Sequence, residues 1–220
     1  MTAISYYGQS REEIMSLIPP NRRRILEIGC GEGLFSEKIT GAEERWGVEP
    51  NEAAASAAKG RLTRVINKLF DEAKPDLPEQ YFDLVICNDV IEHMTNHDKF
   101  LNEIKNYIAP GGVIVGSIPN VRYHKNLFNV LFAKDWEYTD SGILDRTHFR
   151  FFTEKSLRRS LSSAGFVIEE LHGVNGGIEF GLSKWKLAYS VFAVLSIALS
   201  FGYFGDIKHL QFAFRARPGR

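Results

Sequence analysis

The run Ile25-Leu26-Glu27-Ile28-Gly29-Cys30-Gly31-Glu32-Gly33 reads as an apolar strand that delivers a glycine-rich turn to the mouth of a helix. Glycine serves where the backbone takes φ > 0 or where a ligand must touch the main chain. Glu49 closes the next strand-like run, about 20 residues beyond the turn, where a carboxylate can accept hydrogen bonds from both hydroxyls of a ribose. Turn and acidic partner together point to a nucleoside ligand. The spacing of Gly29, Gly31 and Gly33 is GxGxG, not the GxGxxG that opens a helix N-terminus onto a pyrophosphate. Glu27, just before the turn, would repel a phosphate but could receive the ammonium end of an amino-acid ligand. A nicotinamide dehydrogenase is disfavoured on both counts.

Histidine titrates near neutral pH and suits removal of a proton from an attacking hydroxyl. His93 follows the apolar run Phe82–Cys87 and His124 follows Val113–Ile118. His148 stands three residues after Asp145, which could orient its ring. Each has a structural alternative: His93 as a helix-start packing residue, His124 in a polar helix start, and His148 with Asp145 and Arg150 in a hydrogen-bonded loop. His97, His172 and His209 read as surface or packing residues. No pair of histidines has metal-site spacing with a carboxylate, so no metal is expected.

These residues need a frame. A capping box, Ser10 with Glu13, opens a short helix whose apolar face is Ile14, Leu17 and Ile18. Strand patterns at Arg24–Ile28, Glu44–Val48, Arg64–Ile66, Phe82–Cys87, Val113–Ile118, Phe166–Leu171 and Gln211–Arg217 alternate with helical patterns. The helices fall at Leu34–Ile39, at Glu52–Lys59 behind Asn51, around Phe100–Ile108, and at Leu157–Ala164. Such alternation predicts parallel strands, right-handed crossovers and helices on both faces. Ligands then bind beyond the carboxyl ends of the strands, where the glycine turn, Glu49 and His93 converge. The chain has 220 residues, with 44% hydrophobic and 25% charged content, as expected of one globular domain spanning 1–220. Twenty-seven basic residues balance 27 acidic ones, which argues against a nucleic-acid partner. Cys30 and Cys87 cannot build a disulfide framework and suit a reducing, cytoplasmic setting. The N-terminal residues lack the apolar stretch of a signal peptide.

The same motifs resemble the class I S-adenosylmethionine-dependent methyltransferases, at Ile25–Gly33, Gly47–Pro50, Phe82–Met94 and Ile108–Pro119. Cys87–Met94 is similar to the subgroup that includes quinone-biosynthesis O-methyltransferases. Asn120–Tyr123 and Gly142–Thr153 resemble methyltransferases found with bacterial polysaccharide and cell-surface glycan biosynthesis. The resemblance implies a Rossmann-like α/β fold, doubly wound, with a seven-stranded sheet in the order 3-2-1-4-5-7-6 and strand 7 antiparallel. It implies S-adenosylmethionine as cofactor and S-adenosylhomocysteine as product. Gly29, Cys30, Gly31 and Gly33 would meet the methionyl side, Glu49 the ribose, and Pro50 and Phe70 the adenine. Asn88, Asp89 and Val90 would line the wall near the sulfonium. The segment after the third strand, Asn67–Asp71, lacks the early acidic residue of the pattern. Tyr6, Tyr7 and Arg11 would close over the cofactor, with Arg11 on its carboxylate. Asn120, Arg122, Tyr123 and Arg150 would face the acceptor.

The implied activity is O-methylation of a sugar or glycan hydroxyl, with His148, oriented by Asp145, or else His93 as base. The alternatives are a phenol, a quinone precursor or another small molecule as acceptor, or a protein that binds the cofactor without turnover. Leu187–Phe204 carries no charge. It approaches the roughly 20 residues of a membrane span, but a span would put the last two strands on opposite sides of a bilayer. It is therefore expected as an apolar helical insertion within 172–210, covering the substrate mouth, contacting a membrane peripherally or pairing two copies as a homodimer.

Overall fold

The computed structural model describes residues 12–181 and 183–219, so Tyr6, Tyr7, Ser10 and Arg11 lie outside the described residues. Five strands, β1 (Arg24–Ile28), β2 (Glu44–Val48), β3 (Arg64–Ile66), β4 (Phe82–Asn88) and β5 (Ile108–Pro119), pair in parallel. Parallel neighbours need crossovers, and helices supply them. These are α1 (Glu12–Met15) ahead of β1, then α2 (Leu34–Glu37), α3 (Glu52–Ala58), α4 (Phe70–Ala73) and α5 (His97–Ile104). After β5 come α6 (His124–Phe128), α7 (Glu154–Ser163), β6 (Phe166–Gly176), α8 (Lys184–Leu199) and β7 (His209–Pro218). β7 slots between β5 and β6, antiparallel to both, giving the order β3-β2-β1-β4-β5-β7-β6.

The period of two along each strand sorts the core into two layers. Ile25, Leu84, Ile86, Val113 and Val115 pack with Ile14, Leu17 and Phe35 on one face. Leu26, Val85, Cys87, Ile114 and Phe214 pack with Phe100, Leu101, Ile104 and Leu157 on the other. With both faces covered, β4 is buried at every position except Asp83, which is why it reads as an unbroken apolar run.

Several boundaries move. α2 stops at Glu37, short of the expected Ile39. β5 starts at Ile108, and the Pro110-Gly111-Gly112 turn sits within it, opposite a register shift between Phe82 and Leu84. α7 begins at Glu154, because the Thr153 side chain accepts from the Ser156 N–H at 3.2 Å. β6 runs on to Gly176, which shortens the insertion, and the apolar stretch forms one helix, α8. α6 continues as a wider turn over Asn129–Ala133, and its Phe128 and Phe132 pack edge-on against Tyr189 and Phe192 of α8. Among the described residues no helix is long and apolar enough to cross a membrane.

Candidate active site

The turn after β1 is held open by its glycines. Gly29, Gly31 and Gly33 have φ of +66°, +53° and +79°. A Cβ at Gly29 would meet Val90 Cγ2 at 2.7 Å, so the turn can lie against the β4 loop only with glycine there. A Cβ at Gly31 would meet nothing within 4 Å; that glycine faces open space. Its N–H donates to Glu49 Oε2 at 2.9 Å, and the Asn51 N–H donates to Glu49 Oε1 at 2.8 Å. A carboxylate has about four acceptor positions, so both oxygens keep capacity for a pair of hydroxyls. Asn67, where the pattern lacks its acidic residue, donates from Nδ2 to the carbonyls of Glu49 and Pro50 at 2.8 and 3.0 Å and fixes that corner.

Two neighbours of this turn differ from expectation. Phe70, expected against the adenine, is buried in the core with its ring edge-on to Phe100 and Tyr107. It opens α4 behind Leu69, so it turns inward and Leu69 is the exposed side chain. Glu27 shares the face of Ile25 and accepts from the Ser36 hydroxyl of α2 at 2.5 Å, which ties it to the helix as well as the turn. Cys30 is buried, and burial, with the charges of Glu27 and Glu49 adding, pushes its thiol up to about 12. It is a neutral packing residue.

At the end of β4, Asn88 is buried and neither polar atom of its amide has a partner among the described residues. An orphaned buried amide costs about 1–3 kcal/mol unless a ligand or water satisfies it. Asp89 follows with φ +55°. Its Oδ1 accepts from Ser117 Oγ of β5 at 3.1 Å and from Gln211 Nε2 of β7 at 2.6 Å. Gln211 in turn accepts from Asn175 Nδ2 of β6 at 2.6 Å, and the Asn175 N–H donates to Glu13 of α1 at 2.8 Å. Sequence reading missed Ser117, Gln211 and Asn175. Their signal lies only in cross-strand register, Pro119 with Gln211 and Val174 with Gln211.

Behind Asp89, residues 91–93 form a short 3₁₀ turn onto which the loop 142–150 is laced. The N–H groups of Phe149 and Arg150 donate to the Glu92 carbonyl at 2.9 and 3.2 Å, and Arg150 Nη2 donates to the Thr95 carbonyl at 2.9 Å. Arg150, expected at the acceptor, thus pins the loop. The lacing sets His93 and His148 with ring centroids 4.7 Å apart, in T-shaped contact. Nδ1 of His93 lies 3.1 Å from the Thr147 carbonyl and Nδ1 of His148 lies 2.9 Å from the Ile143 carbonyl. A carbonyl only accepts, so each Nδ1 carries a proton, and it is Nε2 that can act as acceptor in a neutral ring. Burial, reinforced by His148, lowers the pKa of His93 and keeps it neutral. Asp145 does not orient His148: its Oδ1 accepts from the Thr147 N–H at 2.8 Å and the Thr147 hydroxyl at 2.6 Å. Burial raises the Asp145 pKa, but these two bonds together with the neighbouring His148 and His93 outweigh it and the net shift is downward. The orienting group is the Ile143 carbonyl.

Ligand atoms of Glu92, His93 and His148 all lie within 4.8 Å of one another, a grouping that could hold a metal ion. Spacing in the sequence does not show this grouping, because His148 is remote from Glu92 and His93 and only the loop brings it in.

The residues after β5 divide. Asn120 is fully buried, donating from Nδ2 to the carbonyls of Asp206 and His209, both at 2.9 Å. Arg122 pairs with Asp206 at 2.6 Å, and His124 is buried with Nδ1 3.3 Å from the Ile207 carbonyl. These three latch the insertion to β5. Tyr123, with Lys125 and Asn126, faces a cavity of about 740 Å³, which Ile143, Trp185 and Tyr189 also line.

A glycine turn, a braced acidic corner and a buried amide thus meet at the carboxyl ends of β1, β2 and β4. The model of the methyltransferase domain matches residues 5–171. The chain belongs to this family. A probable S-adenosylmethionine-dependent methyltransferase from Mycolicibacterium smegmatis is 30% identical over 156 residues, 70% of this chain and 56% of that protein. The chain therefore spans little more than half the length of that relative. A ubiquinone biosynthesis O-methyltransferase from Rickettsia prowazekii is 26% identical over 184 residues, 78% of this chain and 68% of that one. Among solved structures, an S-adenosylmethionine-dependent methyltransferase from Archaeoglobus fulgidus shares the fold, with TM-score 0.66 and 21% identity over 93% of this chain and 90% of that one.

S-adenosylmethionine is the cofactor in the names of the Mycolicibacterium and Archaeoglobus proteins. The residues of this chain fit that group: Gly31 is open, Glu49 keeps free acceptor positions, and the buried amide of Asn88 has no partner among the described residues. Gly29, Gly31 and Asn88 would hold the amino-acid end and Glu49 the ribose.

Proposed function

We propose that this methyltransferase methylates a hydroxyl oxygen, with the His148–His93 pair receiving the proton. The observation that carries the reading is the pair of imidazole rings in contact behind Asp89, each with its Nδ1 against a backbone carbonyl. The cofactor supplies an activated sulfonium methyl, and the chain supplies alignment and a proton acceptor. Asn88 and the glycine turn hold the donor end, while His148, held by Ile143, waits where the acceptor hydroxyl must shed its proton.

For the acceptor we favour a sugar or glycan hydroxyl, supported by the segments Asn120–Tyr123 and Gly142–Thr153 and by a cavity with both aromatic and amide walls. Aromatic faces at Tyr123, Trp185 and Tyr189 suit a phenol equally. The ubiquinone O-methyltransferase relatives support that second acceptor. A second mechanism is favoured by the Glu92–His93–His148 grouping: a divalent cation there would bind the hydroxyl and lower its pKa. Labelled S-adenosylmethionine, offered with nucleotide sugars and with catechols, decides the acceptor by product mass and methyl position. Turnover that survives a chelator supports the histidine base. Turnover lost with chelator and restored by one divalent ion moves the proton step to the cation.

A further inference from the structure

We propose that α8 and the turn Asn129–Ala133 form one face that docks on an anionic lipid bilayer. Most large apolar side chains that stand exposed among the described residues belong to residues 130–204. On the turn, Leu131 and Phe132 are about 60% exposed, and on α8 and its end Trp185, Leu187, Leu195 and Leu199 are more than half exposed. Phe201 is 99% exposed. That exposure is built in: Phe201 has φ +52° in a tight reversal, closed by the Gly202 N–H donating to the Ile197 carbonyl at 2.8 Å and the Phe204 N–H donating to Ser200 Oγ at 3.0 Å. A bulky residue in left-handed backbone is uncommon, and here it holds an aromatic ring at the tip of the helix.

The helix is apolar all round, carrying Leu187 and Val191 outward as well as Ala193 inward. A helix of this kind belongs in a core or in lipid. Sixteen residues rise about 24 Å, short of the roughly 30 Å hydrocarbon layer, so it lies along the interface rather than across it. Charge selects the surface. Residues 120–134 and 183–205 contain Arg122, Lys125, Lys134, Lys184 and Lys186 and no acidic residue, in a chain whose net charge is zero. Asp206 neutralises Arg122, and Asp135 and Glu137 sit on the cavity wall with Lys125, which leaves Lys134, Lys184 and Lys186 as the basic residues of the two segments beyond that wall. Lysine stems with an aromatic and aliphatic patch suit anionic headgroups over acyl chains. α6 and α8 pack together, so the two segments move as one face. The cavity at Tyr123 and Trp185 lies between them. An acceptor with a lipid tail would reach it from the bilayer, a point that rests on the methyl-transfer reading.

The test is co-sedimentation of the full chain with phosphatidylcholine vesicles, with and without phosphatidylglycerol, alongside sedimentation velocity without lipid. Docking predicts binding that needs the anionic lipid, weakens with salt, and falls about tenfold or more in L199E/F201E, the change expected when burial of apolar side chains is lost. Binding of S-adenosylhomocysteine should stay unchanged in that variant, which shows it folded. Absence of vesicle binding overturns the proposal, as does a dimer that L199E/F201E dissociates and that ignores vesicles. If methyl transfer to soluble acceptors persists in either case, the docking falls and the methyl-transfer reading stands.

Discussion

Glu49 does two things at once at the end of β2. It braces the glycine turn through Gly31 and the corner through Asn51, and it keeps acceptor capacity for the ribose. Glu49→Ala should weaken S-adenosylhomocysteine binding by roughly 1.5–3 kcal/mol per charge-assisted bond lost, or about tenfold to a hundredfold for one. Glu49→Gln, which keeps the shape and one acceptor, should fall between. Calorimetry giving wild-type affinity in a folded Ala variant would refute the ribose role. His148→Ala should leave that affinity intact and cut turnover by about 100- to 10,000-fold, the usual worth of a positioned base. Asp145→Asn tests the correction made by the structure: because Ile143 and not Asp145 holds the His148 ring, activity should change far less than in His148→Ala. Equal losses in the two variants would restore Asp145 as orienter.

Elements meet at the site through Gln211, which no motif announced. It joins β7 to the β4 loop through Asp89, and through Asn175 it reaches α1. Gln211→Leu removes a charge-assisted bond and leaves a carboxylate oxygen with one fewer donor. The expected cost is about 1.5–3 kcal/mol in urea unfolding, together with weaker S-adenosylhomocysteine binding. A variant as stable as the parent would show the link to be idle. The strands β1, β2 and β4, the glycine turn and Glu49 were legible because each announces itself locally, by apolar runs, by glycine, or by a carboxylate at a strand end. The polar bridge Asp89–Gln211–Asn175 was not, since its members are neighbours only after β7 has entered between β5 and β6. Phe70 misled for a related reason. Its place behind β3 was right, but the inward turn of α4 at Leu69 decides which way the ring points, and composition does not encode that. The ties of Asn120 and Arg122 to Asp206 and His209 were not legible either, because the insertion that supplies those partners lies more than 80 residues away in the chain.

Across the whole molecule, the insertion is fastened to the sheet by neutral histidines. His124 sits under the Ile207 carbonyl, and burial lowers its pKa. His209 heads β7 against Gly173 and Gly176, where a Cβ on either glycine would come within 2.6 Å of its ring. Burial lowers its pKa too, with Lys208 adding. Both are depressed below the ordinary value of about 6.5, so the unfolded chain binds protons that the folded chain does not. Stability from these two groups is fully present above about pH 6.5 and is lost as pH falls toward their folded values. Asp71 and Asp76, whose pKa values are lowered first by hydrogen bonds from Lys74 and Lys68 respectively, act in the same direction at lower pH. Because they are exposed, solvent screens their share. The urea midpoint should therefore drop steadily between pH 7 and 5, before the carboxylates titrate. Loss should begin where the histidines sit, at the seam of β5, β7 and the insertion, so the protection factors of β7 amides should fall at pH 5.5 while those of β1 hold. In His209→Gln, which cannot charge, the slope of midpoint against pH should be shallower. A midpoint that is flat or rises on acidification would mean that these histidines are already protonated in the folded chain, and that the insertion is held by charge rather than by burial.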